Sequence, residues 1–583
     1  MPLALGTLVV EQVIAESVAA HELPAAGGFE PLGGCFAGLE LRHVLTRSGT
    51  NDEGTTWKSL PPTPPRVGAL PVRSLVHLCA PRRVGPLPVL LALGLLTVAC
   101  RPAAALLRPP IPAPPALTAE APQLWVALAA HLGQGPLQLE AAGDPLQLVD
   151  ARGQRHSGSR LALRWRFEPL AQPLQLERQV LGPFASFESA EQMALAWAQP
   201  GRAVVIAHPA EWEVWAEPGL AAPAGQRPRL QQLRLSQQLV PELSTPGGWR
   251  RLEGPVRIAA PGGLRWKGGT YAGPFRLQAD AYGGWSLVEQ VPLERYLEGV
   301  LPHEIGAGAP AAALAAQAVL ARTWALRNQH RFAVDGYHLC ADTQCQVYSD
   351  PRQAGAGVRR AIAATRGQVL SWQRRPIHAV YHASNGGVAA GYEEAWAGTG
   401  LPYLRPAVDG PPSLVAALPL PLTEGGRLRT LLQRGDQAYG AAHPLFRWTR
   451  RFDRSQIVQA LGPRAAAIGS LQQVQVLERG PSGRVVRLAL RGSAGQVVLQ
   501  RDAIRRTLRG LPSTLFDLTS AGPGVWRFEG GGFGHGAGLS QAGAIDLASR
   551  GWSLERILSR YYPGTTLVGL EALAPVGSSG GGP

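Results

Sequence analysis

Glu304 stands between apolar Leu301 and Ile305, just before a glycine-rich break at Gly306 and Gly308. A carboxyl in such a setting is partly desolvated, which raises its pKa and lets it hold a proton for a leaving group near neutral pH. On its local sequence alone the same residue also reads as an ordinary charge near a helix end. His303-Glu304 opens a zinc-protease motif, but the position of the second histidine is Ala307, which rejects that reading. Ser384-Asn385-Gly386-Gly387 follows an apolar strand, and glycines from Gly530 to Gly538 surround Phe533 and His535. Glycine-dense turns let backbone amides approach a ligand, and they also serve as tight turns that only shape a fold. We read Gly534-His535-Gly536 as functional, with Ser540-Gln541 beside it. A hydrolytic triad of Ser384 with His378 or His382 would need the GxSxG elbow, which is missing. The run HLCADTQC offers His338, Cys340 and Cys345 as three zinc ligands without a fourth. In an oxidising compartment a Cys340–Cys345 disulfide is the simpler outcome.

The elements that must position these residues are legible in outline. Residues 292–330 carry two helical patterns separated by Gly and Pro, the stronger running from Ala311 to Asn328 with Leu314, Ala318, Ala321 and Ala325 on one face. Gln317 and Arg322 are polar exceptions placed to reach a site beside that face. Residues 182–216 read as loop, amphipathic helix, strand, turn and strand. Residues 250–290 return to strand-like patterning, and residues 446–518 give strand, helix, hairpin and helix after a helix at Arg427–Arg434.

Composition narrows the function classes. A length of 583 residues allows two or three domains. The net charge of +15 comes from dispersed arginines, only Lys58 and Lys267 being lysine. With no zinc-finger spacing, Walker loop or basic heptad array, the charge speaks against nucleic acid and for an anionic partner such as a cell wall. Residues 81–100 have the anatomy of an export signal, with Arg82 and Arg83, an apolar run from Leu87 to Ala99, and Cys100 in an imperfect lipoprotein box that would anchor the chain by a lipid. An exported protein of the periplasm or cell envelope is expected. Residues 1–80 show no sustained period and read as a doubtful extension.

The longer pattern resembles a known family. Tyr296-Leu297-Glu298-Gly299-Val300 and Glu304 begin it, followed by Ala316 to Val319, Ala321-Arg322-Thr323, Cys345-Gln346-Val347-Tyr348, Thr365-Arg366-Gly367, Tyr381 to Gly387, Pro402-Tyr403-Leu404, and GGGFGHGAGLSQAGAIDLASRG near the end. These residues, in this order over roughly half the chain, are similar to the stage II sporulation protein D (SpoIID/LytB) group of peptidoglycan lytic transglycosylases and amidase enhancers. The resemblance implies cleavage of the bond between N-acetylmuramic acid and N-acetylglucosamine in glycan strands stripped of peptides, with the family's catalytic Glu on Glu304. It implies substrate contacts by Gln317, Arg322, Tyr381, Ser384, Asn385, Gly387, His535 and Gln541. It requires no cofactor, although some members hold zinc near the position of Cys340. The alternative is a non-catalytic enhancer that binds a cell-wall amidase. Asp342, Glu393, Glu394 and Asp409 are the acidic candidates for a partner to Glu304, and Arg505 or Arg506 could meet an anionic muramoyl carboxylate. Residues 182–216 look somewhat like a SPOR-type glycan-binding repeat, or equally an accessory packing unit whose aromatic residues are core.

The expected fold is α+β. A mixed catalytic body covers 221–570, preceded by a smaller strand-rich accessory region at 123–220, a Pro/Ala-rich spacer at 101–122 and the export signal. A flexible tail is expected at 571–583.

Overall fold

Alternating apolar residues build the sheets: in Leu137–Ala141, Leu137 and Leu139 face inward while Gln138 faces out, and Leu146 and Leu148 repeat the pattern. The computed structural model describes residues 106–574 except residue 424; the extension at 1–80, the export signal with Cys100, and residues 575–583 lie outside the described residues. Within it the chain is α+β.

Strand β1 (Gln123–Leu132) lies in a seven-stranded sheet, antiparallel to β4 (Trp285–Pro292) and parallel to the short strand Leu339–Cys340. The long β2 (Arg160–Phe184) runs antiparallel to β3 (Arg229–Thr245) in an eight-stranded sheet that also takes in Trp212–Ala216 and Leu264–Trp266. Strands from either side of residue 220 therefore share both sheets, and no sheet boundary falls there. Composition could not reveal this, because strand partners far apart in sequence leave no local mark.

Residues 106–122 also belong to the body. Leu106 bridges Leu176, the Leu117 amide donates to Gln329, and the Pro115 carbonyl bonds to His338. The proline-rich run is thus laid along the surface by its side chains and carbonyls and is not a free spacer in this part. Leu573 likewise packs on the main core, and the Ala574 amide donates to the Arg374 carbonyl, so residues 571–574 are held.

Helix α1 (Phe187–Trp197) and the strands Val204–Ala207 and Trp212–Ala216 appear as the pattern of residues 182–216 predicts. Phe187, Trp197, Trp212 and Trp215 are all buried, so these aromatics are core and offer no sugar-stacking face. Helix α1 joins Glu191 to Arg327 and His330, and Glu188 to Arg331. Within its first turn the Ser189 hydroxyl donates to Asp502 of a distant segment at 3.2 Å.

Strand β4 leads directly into α2 (Leu293–Leu301), which buries Leu293, Tyr296, Leu297, Val300 and Leu301, the spacing of one helical face. Helix α3 (Ala311–Arg327) is buried nearly all round, more than the single apolar face expected, because helix α4 (Ala356–Ala364), the strand Gln368–Trp372, and helices α5 (Gln541–Ser549) and α6 (Leu554–Tyr561) all pack on it. Its alanines permit this close approach. Arg322 is fully buried in that packing, paired with Glu294 at 2.8 and 2.7 Å and bonded to the Gln368 carbonyl at 3.0 Å. Arg322→Ala leaves a largely enclosed carboxylate unpaired and is expected to cost about 3 kcal/mol in denaturant unfolding; a loss within 0.5 kcal/mol would contradict this role.

Candidate functional site around Glu304

Helix α2 does not simply stop at Pro302. The chain widens into one π-helical turn, Pro302–Gly306, closed by Gly306 at a φ of +86°. Such turns are uncommon and re-aim a side chain relative to a regular helix. Here the turn carries Glu304, half-buried, against the segment Cys345–Tyr348. The Val347 amide donates to Glu304 Oε1 at 3.0 Å, and the Tyr381 hydroxyl also bonds the carboxyl.

Behind Tyr381 runs an ordered relay. The Tyr296 hydroxyl donates to Gln346 Oε1 at 3.2 Å, and Gln346 Nε2 donates to the Tyr381 oxygen at 2.8 Å. An amide NH2 can only donate, so Tyr381 accepts there and has its own proton for Glu304. Burial pushes the Glu304 carboxyl up to about 7, against the opposing effects of the Val347 amide and Tyr381 hydroxyl. The result is a carboxyl that gains and loses a proton near neutrality.

His535 joins through the same tyrosine. The Ala537 amide donates to His535 Nδ1 at 3.2 Å, which leaves Nε2 as the donor to the Tyr381 carbonyl at 2.9 Å. Burial and the nearby Arg505 charge hold the imidazole down at about 3, so it is neutral and positions Tyr381.

The other expected contacts are not brought to the carboxyl. Gln317 is fully buried between α3 and α5, where Gln541 donates to it at 3.3 Å. Ser384, Asn385 and Gly387 are buried too. Asn385 donates to Asp409 at 2.7 Å and accepts from the Gly387 amide at 2.9 Å. Gly386, at a φ of +70°, presses onto the glycine loop so closely that a Cβ would lie 2.6 Å from the Gly531 carbonyl carbon. These residues, with Arg322 and Gln541, lock elements together, and a glycan cannot reach side chains so enclosed. Ser384 Oγ accepts from Gly386 while His378 bonds Arg327, so no serine–histidine pair forms there.

The acidic candidates have other duties. Asp409 holds Asn385, Tyr561 and Arg560; Glu394 holds the Gly391 amide and Ser482; Asp342 caps the exposed turn before Gln344; and Glu393 packs against Gly391 and Gly400. Glu304 shares no hydrogen bond with any of them.

Cys340 and Cys345 form a disulfide. His338 uses both ring nitrogens, accepting from the Trp125 amide and donating to the Pro115 carbonyl, each at 2.9 Å. With both sulfurs joined and both nitrogens bonded, these residues do not fit a zinc ion. The disulfide closes the loop that delivers Val347. Replacing both cysteines by Ser is expected to loosen the Val347 amide's hold on the carboxylate and so raise the pH at which Glu304 titrates; an unmoved Glu304 titration would contradict this coupling.

Tyr296, Gln346 and Val347 are the residues around Glu304 that sequence reasoning did not single out. They stand inside YLEGV and CQVY, and only their links to Glu304, direct for Val347 and through Tyr381 for Gln346 and Tyr296, distinguish them from framework.

Residues 281–372 match the family model described as stage II sporulation protein. Residues 390–538 match a second model, a domain of unknown function designated DUF8618. The chain is 29% identical over 303 residues to the stage II sporulation protein D of Bacillus amyloliquefaciens, covering 48% of this chain and 75% of that protein. It is 28% identical over 301 residues to the same-named protein of Bacillus subtilis (strain 168), covering 49% and 77%. The amidase enhancer of Bacillus subtilis (strain 168) is 28% identical over 300 residues, covering 46% of this chain and 40% of that protein.

Proposed function

We propose that this chain is an exported lytic transglycosylase acting on the MurNAc–GlcNAc bonds of denuded peptidoglycan strands in the cell envelope. Cys100 provides for a lipid anchor. The observation that carries the reading is one carboxyl poised near pH 7 by burial and held by the Val347 amide and the Tyr381 hydroxyl. Glu304, protonated, gives its proton to the glycosidic oxygen as the C1–O4 bond breaks. The resulting carboxylate takes the proton of the muramoyl 6-hydroxyl while O6 bonds to C1, which closes the 1,6-anhydro ring and restores the acid. No water is consumed, so a second carboxylate of the usual glycosidase kind is unnecessary. The reaction written this way needs no metal.

Incubating the purified protein with denuded strands should yield anhydromuramoyl ends; reducing ends in their place would mean hydrolysis. The likeness to an amidase enhancer supports a second reading, binding and stimulation of a cell-wall amidase. That reading gives no glycan product from the protein alone and a faster amidase in its presence, whether or not Glu304 is intact.

A further inference from the structure

One side chain holds the loop that brings Val347 to Glu304. Gln344 lies inside the ring closed by the Cys340–Cys345 disulfide and is half-buried. Its Oε1 accepts from the Trp212 indole at 3.1 Å and from Arg506 Nη2 at 3.4 Å. Both partners can only donate, which fixes the amide oxygen on that side. The Gln344 carbonyl accepts from Arg331 Nη1 at 3.0 Å, and its backbone amide donates to Asp342 Oδ1 at 2.8 Å.

These partners come from parts of the chain far apart. Trp212 is buried beside α1, its ring 5.2 Å from that of Phe187 and 4.4 Å from that of His208. Arg331, after α3, is buried, pairs with Glu188 of α1 and lies 4.1 Å from the centre of the Phe187 ring. Arg506 stands on the short helix Asp502–Thr507 and also donates to the Ala185 carbonyl, just before α1, at 2.6 Å.

The disulfide ring is held at two places. Cys340 is fixed in the strand Leu339–Cys340 beside β1, and Gln344 docks the part from which the chain leaves for Glu304. Only Cys345 and Gln346 stand between Gln344 and Val347. Cys345 belongs to the ring itself, and Gln346 is bonded between Tyr296 and Tyr381. With Gln344 released, the ring can pivot about its strand, and the Val347 amide, 3.0 Å from Glu304 Oε1, moves with it. A hydrogen bond weakens steeply with distance and angle, so a small displacement suffices.

We infer that Gln344 is a positioning residue for Glu304, docking the disulfide ring against Trp212 and Arg506 so that the Val347 amide stays on the carboxyl. This rests on Glu304 as the acid of the proposed reaction. The unit of α1 and its two strands, whose aromatics are closed to sugar, thereby gains a role: it helps to set the acid without touching it. The segment 390–538 joins in through Arg506.

Carbon-13 NMR of the full chain labelled at its glutamate carboxyls tests this, with the Glu304 signal assigned by its absence from Glu304→Gln. Gln344→Ala changes no charge, so any movement of the Glu304 titration reports the contacts that Gln344 holds. The Val347 bond favours the carboxylate, and its loosening should raise the titration midpoint by about half a unit to one unit. Trp212→Phe, which removes the indole donor, should move the midpoint the same way by less. Ser189→Ala cuts the bond between α1 and Asp502 without touching Gln344, and should leave the midpoint in place. An unmoved midpoint in Gln344→Ala or in Trp212→Phe, or an equal shift in Ser189→Ala, would overturn the inference. Anhydromuramoyl ends released by the native protein, with the midpoint unmoved in Gln344→Ala, would sink it and leave the lytic reading intact. Absence of such ends with the shift preserved would sink the lytic reading alone.

Discussion

Glu304→Gln should reduce release of anhydromuramoyl ends by about 10²–10⁴-fold, the usual contribution of a positioned acid–base group, while making the protein more stable at alkaline pH. Both effects come from one cause. The carboxyl is raised from its ordinary range to about 7 because ionising it in the folded protein is opposed by burial. A group whose folded pKa lies above its unfolded one gives its full stability below the unfolded value, near 4.5, and loses it as pH rises to about 7. Above that pH the native protein carries an unfavourable carboxylate, at about 1–3 kcal/mol allowing for the partial exposure of the side chain. Glutamine cannot ionise. Denaturant unfolding should therefore show native and variant diverging between pH 4.5 and 7, with the variant more stable at pH 8. Parallel curves would remove the physical basis for a poised acid, and an active variant would remove the mechanism. The native rate should correspondingly fall as pH rises above about 7, because the protonated form starts the reaction.

Tyr381→Phe is the second substitution with a large expected effect. The hydroxyl is the junction of the relay, accepting from Gln346 and bonding Glu304. Its loss leaves the Gln346 amide buried without an acceptor, which costs about 1–3 kcal/mol of stability. It also removes a donor that favours the carboxylate, so Glu304 should titrate higher and the alkaline limb of the pH–rate profile should move upward. The rate should fall roughly 10–100-fold, since the acid loses its orientation while keeping its chemistry. Stability loss with an unmoved pH profile would show that Tyr381 supports the fold only.

Much of the framework was legible because it is local. Helix α3 begins at Ala311 as its periodicity predicts, α1 and its two strands follow the pattern of residues 182–216, and strand, helix and hairpin recur between Trp448 and Gly492. The pairing of β2 with β3 was not legible, since register between strands tens of residues apart depends on contacts that no window of sequence contains. The same limit explains the site residues. Gln317 and Arg322 look like polar residues awaiting a ligand, and only packing reveals that Gln541 donates to the Gln317 oxygen and Glu294 pairs Arg322. Tyr296 and Gln346 look like ordinary core and loop residues until the fold sets them in line behind Tyr381.

The sequence by itself determined the likeness to stage II sporulation proteins, the α+β character and Glu304 as the candidate acid, because Glu304 sits in a run of ordered motifs whose residue types are visible without coordinates. Tertiary structure decided what makes that acid unusual. The π-turn, the Val347 amide, the Tyr296–Gln346–Tyr381 relay and the burial that lifts the carboxyl to about 7 come from segments separated by up to 85 residues, Tyr296 to Tyr381. A pKa is set by what surrounds a group in space, and the chain order around Glu304 does not contain those surroundings.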